Sequence, residues 1–297
     1  MARFGRVLTA MITPFDQNGA LDLDEARRLA RWLQDNGNDG LVIAGTTGES
    51  PVLSDDERLS LFAAVIESVS IPVIAGTGTN DTAHSVHLTK EATALGASGI
   101  LAVCPYYNRP SQAGIEAHLR AMAEATPLPQ MVYDIPVRTG RKISTALLLK
   151  LAREVSNVVA LKDAAGNPGE TAVLIAGAPE GFEVYSGDDG LTLPLLASGI
   201  VGTVGVATHW TGPDHQEMFG LWEKGDVASA RRVNARMLES FAFETGDEAP
   251  NPIPTKAMMR HMGFAVGQAR LPMGAAPAFV EQRAPEVLAN LLRRRGE

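Results

Sequence analysis

Short apolar runs alternate with longer amphipathic stretches along most of the chain. Runs at 7–13, 40–44, 72–76, 99–103, 130–134, 158–162, 183–186 and 202–206 are β-type in composition, and their length predicts buried strands. Each gives way within two residues to Gly, Pro, Ser, Thr or Asp and then to a helical pattern. Helix starts are marked by oxygens that can take orphan backbone N–H groups: Asp22, Ser54, Asn80-Asp81-Thr82 and Ser144-Thr145. Ser54-Asp55-Asp56-Glu57 has the spacing of a capping box. Eight such repeats predict a parallel sheet, and eight is the number that closes a (β/α)8 TIM barrel. A doubly wound open sheet is the rival, but the first turn lacks the G-x-G-x-x-G loop. After Lys224 the pattern changes, and 226–244, 254–262 and 278–294 read as helices with no strand between them. The expectation is a catalytic barrel over 1–224 followed by a small helical region over 225–297.

A chain of 297 residues would otherwise suggest two domains, but α/β barrels reach this length as one. The formal net charge of -8 argues against nucleic acid or an anionic membrane as a partner. The only basic cluster, Arg293-Arg294-Arg295, reads as a solvated helix end. One cysteine, Cys104, excludes an internal disulfide framework; it reads as a buried structural thiol. The six histidines are scattered without ligand spacing, so neither a metal nor a cofactor is expected. With no secretory pattern at the N-terminus and no long uncharged apolar run, a cytoplasmic enzyme is expected.

The chemistry-bearing residues fall at the C-terminal ends of the predicted strands, where barrel enzymes gather their catalytic groups. Thr46 and Thr47 follow the second strand, Tyr106 and Tyr107 the fourth, and Tyr133 closes the fifth with Arg138 beyond it. Lys162 closes the sixth, and Gly187-Asp188-Asp189 follow the seventh. A lysine at the end of a buried strand is either a rim cation or an amine kept dry enough to attack a carbonyl and form a Schiff base. The hydroxyl-rich neighbours favour the second reading. Tyr106 and Tyr107 could equally be an aromatic plug on the rim. Asp188-Asp189 could bind a cation, but helix capping is the simpler role.

Four segments carry a family resemblance: Gly45-Thr46-Thr47-Gly48-Glu49-Ser50, Cys104-Pro105-Tyr106-Tyr107-Asn108, Tyr133-Asp134-Ile135-Pro136-Val137-Arg138-Thr139-Gly140 and Leu161-Lys162-Asp163. With Ser186-Gly187-Asp188-Asp189 and Asn251-Pro252-Ile253-Pro254-Thr255-Lys256, the pattern resembles the dihydrodipicolinate synthase/N-acetylneuraminate lyase family from end to end. That resemblance implies a (β/α)8 barrel and a lysine Schiff base with pyruvate or another 2-oxo acid. The Gly-Thr-Thr-Gly-Glu-Ser loop and Arg138 are similar to the synthase branch, whose second substrate is L-aspartate 4-semialdehyde. Lys162 is then the Schiff-base lysine, and Tyr133, Thr46 and Tyr107 the proton relay, Tyr107 reaching into a neighbouring subunit. Thr47 is implied to bind the pyruvate carboxylate with Thr46, and Arg138 the semialdehyde carboxylate. The resemblance also implies that Gly187 and Val204 lie near bound pyruvate and that the assembly is a homo-oligomer, a dimer of dimers. In the regulatory pocket of lysine-inhibited relatives, Ser50, Asn80 and Tyr106 match, whereas Asp55, Arg58 and His84 depart. Weak or absent feedback by lysine is expected, which a steady-state inhibition assay checks. Two other functions stay open on sequence: cleavage of a 2-keto-3-deoxy sugar acid or N-acetylneuraminate, and non-catalytic binding of a small molecule.

Overall fold

In a computed structural model that describes residues 2–246 and 248–296, eight strands follow the predicted order. They are β1 (Val7–Ala10), β2 (Gly40–Ile43), β3 (Val73–Gly76), β4 (Gly99–Val103), β5 (Gln130–Asp134), β6 (Val158–Asp163), β7 (Glu183–Ser186) and β8 (Gly202–Gly205). They form a closed barrel in sequence order, with parallel ladders. The (β/α)8 expectation holds. β3 starts one residue later than predicted because Pro72 has no N–H to give the ladder. β6 runs one residue further than predicted, to Asp163.

The chain divides into two compact units. One holds residues 2–5 and Pro72–Val204. Its helices are capped as the sequence suggested: Asp81 accepts from Ala83 and His84 N–H groups ahead of Thr82–Ala94, and Ser144 accepts from Leu147 N–H ahead of Thr145–Glu154. The pattern after β5 predicts one helix, but the structure has two. A single turn, Pro136–Thr139, stops at Gly140 with φ 71° before Thr145–Glu154 begins; glycine takes that left-handed conformation without a Cβ penalty.

The other unit holds Arg6–Ile71 and residues 205–296. The helix Leu23–Asp35 buries Ala26, Leu29, Ala30 and Leu33, one stripe at helical spacing. The helix Asp55–Ile66 has the predicted capping box, with Ser54 and Glu57 exchanging side-chain and backbone bonds. Thr208–Glu223 is followed by the tail helices Val227–Glu244, Ile253–His261 and Ala278–Arg295. Arg295 corrects the expectation of a wholly solvated C-terminal cluster. Its Nη2 lies 2.5 Å from Oδ2 of fully buried Asp214 and donates to Trp210 O, while Arg236 Nε holds Asp214 Oδ1 at 2.7 Å. An unpaired carboxylate there would be costly. Among the described residues no helix is long and apolar enough to cross a membrane.

Candidate active site

Lys162 closes the apolar run of β6, one residue before the strand stops at Asp163, so it stands where a barrel presents functional groups. The residue is only 4% exposed. Its Nζ lies 4.3 Å above the centre of the Tyr133 ring, in a ladder that pairs Tyr133 with Lys162 directly. The aromatic face offers the ammonium some compensation for lost water. Gly187 completes this contact. A Cβ there would fall 3.0 Å from Lys162 Cγ, 2.9 Å from Ala164 Cβ and 3.1 Å from Asp163 O. Only a residue without a side chain lets the β7 end lie this close to the lysine stem.

Carboxylates fix the backbone on either side of the lysine. Asp134, next to Tyr133, is fully buried; its Oδ1 accepts from Ile143 N–H at 3.1 Å and its Oδ2 from Lys142 Nζ at 2.8 Å. Burial pushes its carboxyl above the ordinary aspartate range, and Lys142 partly opposes this. Asp163 Oδ1 accepts from Ala165 N–H and its Oδ2 from Thr171 Oγ1 at 2.5 Å. Two backbone bonds, Ala164 N–H to Asp134 O and Gly187 N–H to Asp163 O, continue the pairing past the strand ends.

The other predicted residues of this unit lie on loops and on β8. Arg138 is exposed on the Pro136–Thr139 turn. Tyr107 is 88% exposed, with φ 72°, an unusual conformation for a bulky residue. Val204 is buried on β8. Asp188 caps a short helical turn by accepting from Gly190 and Leu191 N–H groups. Cys104 is buried, and burial followed by the nearby Asp134 charge pushes its thiol up to about 12, so it is an inert packing group.

In the second unit, Thr46 and Thr47 lie in a tight loop at 45–50. Glu49 N–H donates to Thr46 O at 3.0 Å, and Ser50 N–H to Gly45 O at 3.2 Å. Thr47 is buried, and its Oγ1 accepts from Asn251 Nδ2 at 2.9 Å; Thr255 Oγ1 donates in turn to Asn251 Oδ1. That polarity leaves the Thr47 hydroxyl proton free to serve a carboxylate. Glu49 adopts φ 58° and is 3% exposed; a non-glycine residue held there costs about 1–3 kcal/mol. Its Oε2 accepts from Arg270 N–H at 2.8 Å, and its Oε1 lies 2.6 Å from Lys256 Nζ, off the hydrogen-bonding direction. The contacts made by Asn251, Lys256 and Arg270 are not visible in the sequence, although 251–256 is one of the segments that carry the family resemblance. A further hint is a lysine set among apolar residues in Pro252-Ile253-Pro254-Thr255-Lys256-Ala257-Met258. Among the described residues, no group of three His, Cys, Asp or Glu side chains could hold a metal ion.

The model of the Dihydrodipicolinate synthetase family matches residues 3–290. A 4-hydroxy-tetrahydrodipicolinate synthase of Desulforamulus reducens is 45% identical over 292 residues, 97% of each chain. A protein of the same name from Synechococcus sp. strain CC9605 is 50% identical over 91% of this chain and 89% of its own. The solved structure of DHDPS from Cyanidioschyzon merolae with lysine bound gives a TM-score of 0.95 at 41% identity, covering 98% of this chain and 99% of that one. A match of this length and identity, on a closed barrel with a buried strand-end lysine, leaves one assignment: the chain belongs to the dihydrodipicolinate synthetase family.

Proposed function

We propose that this enzyme condenses pyruvate with L-aspartate 4-semialdehyde to give 4-hydroxy-tetrahydrodipicolinate, a step of lysine and diaminopimelate biosynthesis. The observation that carries this reading is Lys162, a residue 4% exposed whose amine lies 4.3 Å above the Tyr133 ring. The unprotonated amine adds to the pyruvate ketone and water leaves, forming an imine. The imine draws electrons from the adjacent methyl, which loses a proton to become an enamine. The enamine carbon bonds to the aldehyde carbon of the second substrate, whose oxygen takes up a proton. The substrate's own amine then adds to the imine carbon and releases Lys162 as the ring closes.

Tyr133, Thr46 and Tyr107 are assigned the proton transfers, with Tyr133 nearest the imine. Thr46 and Thr47 are assigned the pyruvate carboxylate, and Arg138 the carboxylate of the semialdehyde, where a planar fork suits two oxygens. Gly187 and Val204 are assigned to contacts near bound pyruvate. No step calls for a cofactor or a metal. We assign a homo-oligomer, a dimer of dimers as the family resemblance implies; the outward Tyr107, 88% exposed, supports a contact between two copies.

Incubation with pyruvate and borohydride, followed by intact-mass measurement, tests the covalent step. The expected result is one reduced pyruvate adduct, abolished in Lys162→Ala. A coupled assay then compares aspartate semialdehyde with sugar-acid substrates. Arg138→Ala should lose semialdehyde turnover and still trap pyruvate. A protein that traps pyruvate but turns over only sugar acids is instead an aldolase of the same family, and one that traps nothing is a binding barrel.

A further inference from the structure

We infer that Lys256 is a positioning residue for the pyruvate carboxylate, holding the loop at 45–50 through its buried contact with Glu49. The inference rests on the proposed role of Thr46 and Thr47, and it concerns a group that reaches neither substrate. Lys256 and Glu49 are 1% and 3% exposed, on segments 207 residues apart (256 - 49). The ammonium lies 2.6 Å from Glu49 Oε1, donates to Gln268 O at 3.0 Å and stands 4.1 Å above the Phe15 ring centre. Arg270 joins from the same tail: its N–H holds Glu49 Oε2, its guanidinium lies 4.2 Å above the Phe15 ring, and its Nη1 and Nη2 fork onto Glu57 at 2.8 and 2.5 Å. Gly267, with φ 64°, lets this segment run against the Phe15 carbonyl, which a Cβ would meet at 2.2 Å.

The consequence for Thr46 is mechanical. Glu49 sits in the left-handed region with its carboxylate turned inward, and its N–H is bonded to Thr46 O. Loss of the ammonium leaves the buried Glu49 Oε1 without the cation in contact with it, which is unfavourable even with Arg270 nearby. Relief comes by rotating Glu49 toward solvent, and Thr46 moves with it. The neutral Asn251-to-Thr47 bond cannot replace this anchor, because it grips the other threonine.

The geometry implies a pH signature. Glu49, Arg260, Arg270 and, beyond Arg270, Glu57 are the charged groups around the Lys256 ammonium. Burial lowers it to about 8, Glu49 opposes that shift, and Arg260 and Arg270 add to it. The contact is therefore charged below about pH 8 and loses its cation above it. The affinity for pyruvate should weaken on the alkaline side. A nucleophilic amine fails in the opposite direction, as pH falls and it protonates, so the two effects fall on separate limbs.

The test is the pyruvate KM and kcat of wild type, Lys256→Arg and Lys256→Met between about pH 6.5 and 9.5, with borohydride trapping at saturating pyruvate. Wild type should show a KM that climbs above about pH 8 with kcat little changed. Lys256→Arg keeps its charge throughout and should lose that climb. Lys256→Met should have a KM raised about tenfold or more and independent of pH, with trapping retained. A wild-type KM that stays flat to high pH overturns the inference even if neither variant folds. So does a Lys256→Met protein with the wild-type KM and profile. Wild type that traps no pyruvate overturns the proposed function and this inference together, whereas trapping with an unchanged profile overturns the inference alone.

Discussion

Gly187 shows how a single absent methyl group makes room for the stem of Lys162, the proposed Schiff-base lysine. Its Cβ position is crowded at 2.9–3.1 Å by Ala164, Lys162 and Asp163, and the lysine stem is the softest of these. Gly187→Ala should displace Lys162 from the Tyr133 ring. A misplacement of that kind costs about a hundredfold in kcat/KM, while overpacking costs about 1–3 kcal/mol of stability. Steady-state kinetics beside thermal unfolding separates the two, and normal kinetics in the variant would show that the contact does not position the amine. Asn251 acts on polarity instead of space. It donates to Thr47 Oγ1, so Asn251→Asp would put an acceptor and a negative charge beside the assigned carboxylate site. The pyruvate KM should rise about tenfold or more, and more than in Asn251→Ala, because the alanine removes a bond without adding repulsion. Equal KM values in the two variants would sink that argument.

Among the elements, the helix Asp55–Ile66 carries a pH dependence that can be signed in advance. Glu57 closes its capping box and takes the Arg270 fork, and the Arg270 bond is the main reason its carboxyl falls to about 2 from the usual 4.5. A depressed carboxylate contributes stability that is complete above its unfolded pKa and lost as pH falls through the folded one. The thermal-stability gap between wild type and Glu57→Gln should therefore be full at neutral pH and shrink from about pH 4.5 to 2. A gap that stays constant to pH 2 would mean that Glu57 acts by packing alone. The capping box was legible in four consecutive residues, and so were most strands, because their apolar runs end in Gly, Pro or Asp. The positions of Lys162 and Tyr133 near the ends of β6 and β5 were legible for the same reason, each closing such a run. The turn Pro136–Thr139 was missed because four residues are too few to show a helical period. The pairing of Glu49 with Lys256 was missed for a different physical reason: both segments stood out as motifs, but the partner that lets each charge be buried lies 207 residues away (256 - 49), and neither segment points to the other.

At the scale of the whole molecule, the proposed relay role of Tyr107 raises the question whether one chain can be a complete enzyme. The residue is 88% exposed on backbone with φ 72°. Such strain persists where the surrounding structure or a partner uses the presented side chain. If a second copy receives the Tyr107 hydroxyl, the inactive variants Lys162→Ala and Tyr107→Phe should rescue each other. In a mixed dimer the Tyr107→Phe chain supplies the lysine, the Lys162→Ala chain supplies the tyrosine, and one of the two sites is whole. Random reassortment of equal amounts makes half the dimers mixed, each with one working site, so about a quarter of wild-type activity should return. The activity should grow with the mixed species resolved by mass and fall on dilution below the dimer's dissociation constant. If Tyr107 serves its own chain, no mixed dimer holds both groups in one site and no activity appears. Co-refolding the two variants and assaying condensation therefore separates a shared site from a self-contained one, even if the number of chains in the assembly is already known from sedimentation.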